Sequence, residues 1–196
     1  MEPAPLSEPF ERFAKVFAEA KAAVPKDPNA MTLATVDERG QPMARVVLLK
    51  DFDQRGFVFF TNYRSMKGRA LESARRAGLN FYWAPIDQQV RVEGTVEKVP
   101  ERESDEYFAS RPRISQLGAW ASEQSQLLAT REELEARLSE LTKKYEGTTV
   151  PRPAWWGGFR VVPSRIEFWK AHEFRLHWRE QYVRAGDGWQ KSWLNP

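Results

Sequence analysis

The apolar positions of the chain change their period along its length. Between Ser7 and Val24, Phe10, Phe13, Phe17 and Ala20 recur at helical spacing, with Ser7 placed to cap the helix and Pro9 tolerated in its first turn. From Met31 the period drops to two. Met31–Val36 and Ala44–Leu49 flank the turn residues Asp37-Glu38-Arg39-Gly40 and predict a hairpin. Further strands are predicted over Phe57–Thr61, Leu79–Trp83 and Gln89–Val99, which are rich in aromatic and β-branched residues, with a short helix near Ser65–Ala77.

In the second half, short helices over Ser104–Ser110 and Ser115–Ala121 flank the basic loop Arg111-Pro112-Arg113. A longer helix starts at Thr130, where Thr130-x-x-Glu133 forms a capping box. Leu134, Leu138, Leu141 and Tyr145 keep one of its faces apolar, and Gly147 supplies the stop. Beyond Pro151 and Pro153 come three more strand regions: Gly158–Val162 with Arg165–Trp169, Phe174–Arg184, and Trp189–Leu194 after the turn Ala185-Gly186-Asp187-Gly188. Roughly six to eight short strands with a few peripheral helices predict a mainly β, α+β chain. A closed or partly closed barrel follows, because open edges of this apolarity invite aggregation. Helices do not alternate regularly with strands, which argues against a doubly wound sheet.

Composition narrows the class. The 196 residues fit one domain spanning 1–196, with 1–26 as an N-terminal helical extension. A hydrophobic fraction of 41%, with 8 Trp and 12 Phe, supplies a core without staples. The absence of cysteine excludes a disulfide scaffold, a thiolate nucleophile and cysteine-based metal centres. Apolar runs are short and Met1 is followed by Glu2 and Pro3, so a soluble cytoplasmic protein is expected, with no membrane partner. The 30 Lys and Arg are balanced by 27 Asp and Glu and scattered along the chain, which argues against a nucleic-acid partner.

Candidate chemistry begins with exclusions. No G-x-G-x-x-G or G-x-x-x-x-G-K-[ST] occurs, so a Rossmann site and a P-loop lack support. His172 and His177 are five apart, on opposite faces of a regular strand, and no metal is predicted. The run Arg175-Leu176-His177-Trp178-Arg179 puts Arg175, His177 and Arg179 on one strand face, as either a solvated surface or an anion site. Arg45 and Lys50 bracket an apolar strand, Lys67 lies beside Ser65, and Arg111 and Arg113 share a loop with Ser115 near Tyr107. Cations grouped with hydroxyl or amide donors hold phosphates. Taken singly, a helix cap at Ser65 and an exposed loop at 111–113 account for two of these sets more readily than a phosphate site does. The odd spacing of Arg45 and Lys50 calls for a bulge or strand end near Lys50, or for service in different sites.

Several ordered stretches between about Asp27 and Pro196 carry a resemblance. They are Arg45-Val46-Val47-Leu48-Leu49-Lys50, Phe57–Tyr63, Gln89–Gly94, Tyr107–Gln116, Gly118–Ser125, Trp156–Arg160 and Ile166–Trp169. Together they closely resemble the pyridoxine/pyridoxamine 5'-phosphate oxidase family. The resemblance implies an FMN-binding split β-barrel with peripheral helices, normally a homodimer with FMN at the interface. It places Arg45, Val46, Val47, Leu48, Leu49, Lys50, Phe60, Thr61, Met66, Lys67, Gln89, Gln124, Ser125, Trp169 and Arg179 against FMN, with Trp169 and Arg179 delivered from the partner chain. Lys50, Tyr107, Arg111 and Ser115 match the substrate-phosphate site, and Arg175 and His177 match the pair that holds the pyridine ring. The implied reaction oxidises phosphorylated B6 vitamers to pyridoxal 5'-phosphate and reduces O2 to H2O2.

The chain departs from the family pattern at four places. Met66 stands where Arg is usual, Phe60 where Tyr is frequent, and Trp178 where the R-L-H-D-R segment has Asp. No Arg-x-x-Tyr segment of the kind that closes over substrate in some members is found near the N-terminus. Packing or exposure accounts for Trp178 more readily than altered chemistry does. These departures motivate the alternative of a noncatalytic flavin- or pyridoxal-phosphate-binding protein of the same fold.

Overall fold

The computed structural model describes residues 7–196, so the first six residues of the expected N-terminal extension lie outside it. Helix α1 (Glu8–Ala23) is followed by β1 (Ala30–Val36), β2 (Pro42–Leu48), β3 (Asp51–Asp53) and β4 (Gly56–Asn62). Then come α2 (Met66–Ala74), β5 (Arg76–Trp83), β6 (Gln88–Lys98), α3 (Glu101–Ser110), α4 (Arg113–Ala121) and α5 (Arg131–Lys144). The C-terminal part is β7 (Trp156–Lys170), β8 (Trp178–Ala185) and β9 (Gly188–Trp193). Pairing is antiparallel, in the order β2-β1-β5-β6-β7-β4-β3, with β8 and β9 branching from β7.

This is the α+β half-barrel that the strand pattern predicts. The two ends of the curled sheet are bridged by the β2–β3 connection, where the Leu49 amide donates to Asn29 O (2.8 Å) and the Lys50 amide to Val58 O (2.8 Å). That strand end resolves the odd spacing of Arg45 and Lys50, because alternation stops at Leu48.

The long strand β7 holds the fold together. It pairs with β6 along its length, with β4 through its first half and with β8 through its second. The two segments expected at Gly158–Val162 and Arg165–Trp169 are thus one strand, accommodated by a register shift at Glu93/Gly94 opposite Pro163. Proline there has no N–H to offer the ladder. A Cβ on Gly94 would meet the Val162 carbonyl oxygen at 2.1 Å, so only glycine fits.

Helix α1 plugs the inside of the curl. Phe10, Phe13 and Ala20 are fully buried, and Phe13 packs against Phe17, Phe52, Phe57 and Phe81 with ring centroids 4.8–5.5 Å apart. Each such phenyl ring contributes about 1.5–3 kcal/mol by leaving water. A second, smaller core forms where α3–α5 meet β7, around Phe108, Leu117, Val150 and Trp156. The predicted capping box is half realised: Thr130 Oγ1 accepts from the Glu133 amide at 3.3 Å.

One strand expectation fails. Phe174–Leu176 do not extend β8; Glu173–Arg175 form a single tight turn in which Phe174 and Arg175 both have positive φ (56° and 61°). Arg175, His177 and Arg179 therefore do not line one strand face, and β8 starts only at Trp178. The same turn brings the histidines together rather than apart, with the His172 amide donating to His177 Nδ1 at 3.3 Å. Two-residue alternation holds only where neighbouring strands pair, and the link from β7 to β8 is too short to stay extended.

Candidate active site

A cavity of about 630 Å³ lies between the two cores, within the range of small-ligand sites. Its walls come from elements far apart in sequence: the edge strand β2, the end of β4, the first turn of α2, the α3–α4 corner and the loop after α4. Val46, Val47 and Leu48 lie on β2, which pairs only with β1 and so presents a free backbone edge to the cavity.

Lys67 anchors one end. Ser65, fully buried, caps α2 by accepting from the Gly68 amide (3.2 Å) and donates to Asn62 O (2.7 Å), which fixes the turn that aims Lys67 inward. The ammonium donates to Thr61 Oγ1 (3.2 Å) and Gln124 Oε1 (3.0 Å). Burial, with Arg45 adding repulsion, holds its pKa below the ordinary lysine range. Arg45 itself donates to Thr35 Oγ1 (2.6 Å) and Leu33 O (3.2 Å). Two half-buried cations thus sit among neutral acceptors, with no carboxylate paired to either among the described residues.

Arg111 anchors the other end. Its guanidinium stacks on Trp156 (4.6 Å to the ring centroid), yet its buried Nη1 has no hydrogen-bond partner among the described residues. Tyr107 stacks on Phe60 (4.1 Å), Lys50 Nζ lies 5.8 Å from the Tyr107 ring centroid, and Ser115 completes this end of the lining. The loop is held by Gln116, a buried residue whose amide nitrogen donates to the carbonyls of Phe108, Ala109 and Arg111 at 3.0–3.1 Å. Sequence reasoning assigned Gln116 no role; a polar side chain beside Leu117 on the buried face of α4 was the available signal. Arg113 turns away and binds the carbonyls of Tyr145 and Thr148 beyond α5, so the two loop arginines do different work.

The remaining expected residues lie elsewhere. Leu49 is buried in the main core, Met66 is half exposed in a separate recess beside Arg39 and Arg69, and Ser125 occupies the left-handed region (φ 72°) next to Gln124. Gln89, Trp169 and Arg179 form one cross-strand row, since Gln89 pairs with Trp169 and Trp169 with Arg179. Residues directly opposite across strands share a face, and the other face of these strands carries the core residues Val90, Phe168 and Tyr182. His177 packs on Trp169 (4.7 Å between ring centroids), and Arg175 is exposed on the preceding turn. None of these C-terminal residues lines the cavity of its own chain.

Residues 17–145 match the family described as pyridoxamine 5'-phosphate oxidase, and residues 156–196 match the pyridoxine 5'-phosphate oxidase C-terminal dimerisation region. The chain belongs to the pyridoxamine 5'-phosphate oxidase family. It is 60% identical over 189 residues to a pyridoxine/pyridoxamine 5'-phosphate oxidase of Myxococcus xanthus, covering 96% of this chain and 92% of that protein. A protein of the same name from Rubrobacter xylanophilus is 55% identical, covering 96% and 87% respectively. The structure of PhzG from Burkholderia lata, solved with tetrahydrophenazine-1-carboxylic acid, superposes with a TM-score of 0.91 at 35% identity, covering 98% of this chain and 94% of that one. A pyridoxamine 5'-phosphate oxidase-related, FMN binding protein of Nostoc punctiforme shares the fold (TM-score 0.79, 15% identity, 98% and 100% covered). The chain is accordingly an oxidoreductase, and it carries the family's dimerisation region.

The cofactor of this family is FMN, and the cavity fits it. FMN brings a phosphate dianion, and the cavity is lined by the cations Lys50, Lys67 and Arg111, with Arg45 close enough to Lys67 to lower its pKa; among the described residues no carboxylate pairs with Lys67 or Arg45, and Arg111 Nη1 has no partner. Among the described residues no helix is long and apolar enough to cross a membrane.

Proposed function

We propose that this enzyme uses FMN to oxidise pyridoxamine 5'-phosphate and pyridoxine 5'-phosphate to pyridoxal 5'-phosphate, with O2 reduced to H2O2 and, for the amine, one water supplying the aldehyde oxygen as ammonia leaves. The observation that carries this reading is the orphaned buried Nη1 of Arg111 in the cavity that Lys67 also lines. A guanidinium nitrogen left without a partner costs about 1–3 kcal/mol, which an anionic ligand recovers.

Lys67, Arg45 and Thr61 hold the FMN phosphate; Gln124 and Ser125 bind the ribityl chain and ring edge, with the β2 edge strand beneath them. Lys50, Tyr107, Arg111 and Ser115 hold the substrate phosphate. FMN, when bound, accepts a hydride equivalent from substrate C4' and passes electrons to O2. The protein contributes orientation and electrostatics. Arg175 and His177 hold the pyridine ring, and they arrive with Gln89, Trp169 and Arg179 from the second subunit of a homodimer. His177 Nδ1 accepts from the His172 amide, which leaves Nε2 as the nitrogen that carries the ring proton.

The test is the visible absorption spectrum of the purified protein, followed by addition of pyridoxamine 5'-phosphate under air. Flavin bands, then peroxide and aldehyde in equal amounts, are the expected result. Colourless protein that cannot be reconstituted would end the FMN reading, and tight binding without turnover would establish the carrier in place of the oxidase.

A further inference from the structure

The row Gln89–Trp169–Arg179 has a charged neighbour on the same face. Glu167 lies two residues before Trp169 on β7, opposite Arg91 on β6 and Gln181 on β8. Its face is outward, yet its side chain is only 5% exposed because two arginines cover it. Arg179 Nε donates to Glu167 Oε1 at 2.8 Å, and Arg91 Nη1 donates to Oε2 at 3.3 Å. Arg179 Nη1 is also taken, by the carbonyl of Asn195 at 3.0 Å. Only Nη2 of Arg179 has no partner among the described residues.

We infer that Glu167 is a positioning residue for the flavin: it fixes Arg179 so that Nη2 alone is offered to the cofactor, and it cancels the charge that Arg179 would otherwise place there. This rests on the assignment of Arg179 as a flavin contact. A buried carboxylate bonded to two guanidinium groups is a costly device for stability alone, since an apolar residue of similar volume serves a sheet face as well. The guanidinium is rigid and planar, so holding Nε and Nη1 determines where Nη2 points. A neutralised donor near a ring whose reduced form is anionic favours reduction less than a free cation does.

Glu167→Gln tests this, because the amide oxygen keeps an acceptor for Arg179 Nε and removes the charge. In the reconstituted holoenzyme the flavin reduction equilibrium should shift about tenfold toward the reduced form, roughly 30 mV for a two-electron couple. FMN dissociation should change by less than about threefold. Glu167→Asp keeps the charge but withdraws it by one methylene, and there FMN should dissociate about fivefold faster with a smaller change in potential. A folded glutamine variant with unchanged potential overturns the inference. Should that variant not fold, an aspartate variant with wild-type FMN dissociation and potential overturns it instead. Arg179→Gln separates the two layers: if it leaves FMN dissociation and potential untouched, the flavin-contact assignment itself has failed. If Arg179→Gln weakens FMN while both Glu167 variants are silent, only the positioning role is lost.

Discussion

The cavity between β2, α2 and the α3–α4 corner and the outward face of β6–β8 carry similar numbers of cations, yet they spend them differently. In the cavity, among the described residues, Lys67 meets only neutral acceptors and Arg111 keeps a buried nitrogen unbonded. On the outward face Arg179 is paired with Glu167 and tied to Asn195, and Tyr82, which continues the Gln89 row onto β5, is 58% exposed. The first arrangement awaits a small anion; the second awaits a protein surface, in keeping with its match to the family's dimerisation region. Among the described residues, similar residue types thus leave whole cationic groups open in the cavity but only a single nitrogen of Arg179, Nη2, on the outward face.

Substitutions can sharpen or break this contrast. The largest effect is expected from Arg111→Ala, which removes the unsatisfied donor: kcat/KM for pyridoxamine 5'-phosphate should fall roughly a hundredfold, near the upper end of the about 1.5–3 kcal/mol that a charge-assisted hydrogen bond is worth. FMN affinity should be nearly unchanged, and steady-state kinetics beside a cofactor titration checks both. Lys67→Ala should raise the FMN dissociation constant about thirtyfold, or about 2 kcal/mol. An unaltered titration would remove Lys67 from the phosphate site.

Arg175→Ala tests the other region. Because Arg175 is exposed on the turn before β8 and is assigned to the pyridine ring rather than to a phosphate, turnover should fall about tenfold, the scale of a lost cation–π contact, while FMN stays bound. Equal kinetics in mutant and wild type would return the residue to the solvated surface. The pH dependence follows from Lys67. Burial lowers its pKa in the free protein, and a bound phosphate favours the charged form and raises it. FMN affinity should therefore fall as pH rises from the free-protein pKa toward the higher bound-state value, a window opening below the ordinary lysine range. Lys67→Arg should flatten that fall, which fluorescence titration across alkaline pH would reveal. The smallest effect is expected from Trp178→Asp. Trp178 is 56% exposed and rests edge-on against Trp193, so melting of the subunit should change within about 0.5 kcal/mol. A larger loss would show that the tryptophan belongs to the interface.

The sequence by itself determined the elements wherever a periodic face coincides with a capped or turn-bounded segment. Helix α1 with its phenylalanine stripe, the β1–β2 hairpin around Gly40 and the capped start of α5 were all legible because local backbone preference and burial agree there. The ordered motifs also named the family, and Ser65 with Lys67 and Arg111 with Ser115 pointed to phosphate. Tertiary structure decided which cations share a cavity. Arg111 and Arg113 are two residues apart, yet one faces the cavity and the other caps α5, because Gln116 fixes the corner between α3 and α4. It also decided that Arg175 and His177 sit on a tight turn rather than along a strand, and that Glu167 is buried under two arginines although it faces outward. Periodicity records which face of an element is apolar. The direction of a charged side chain depends on partners brought in from distant segments, and here Glu167 draws them from strands before and after its own.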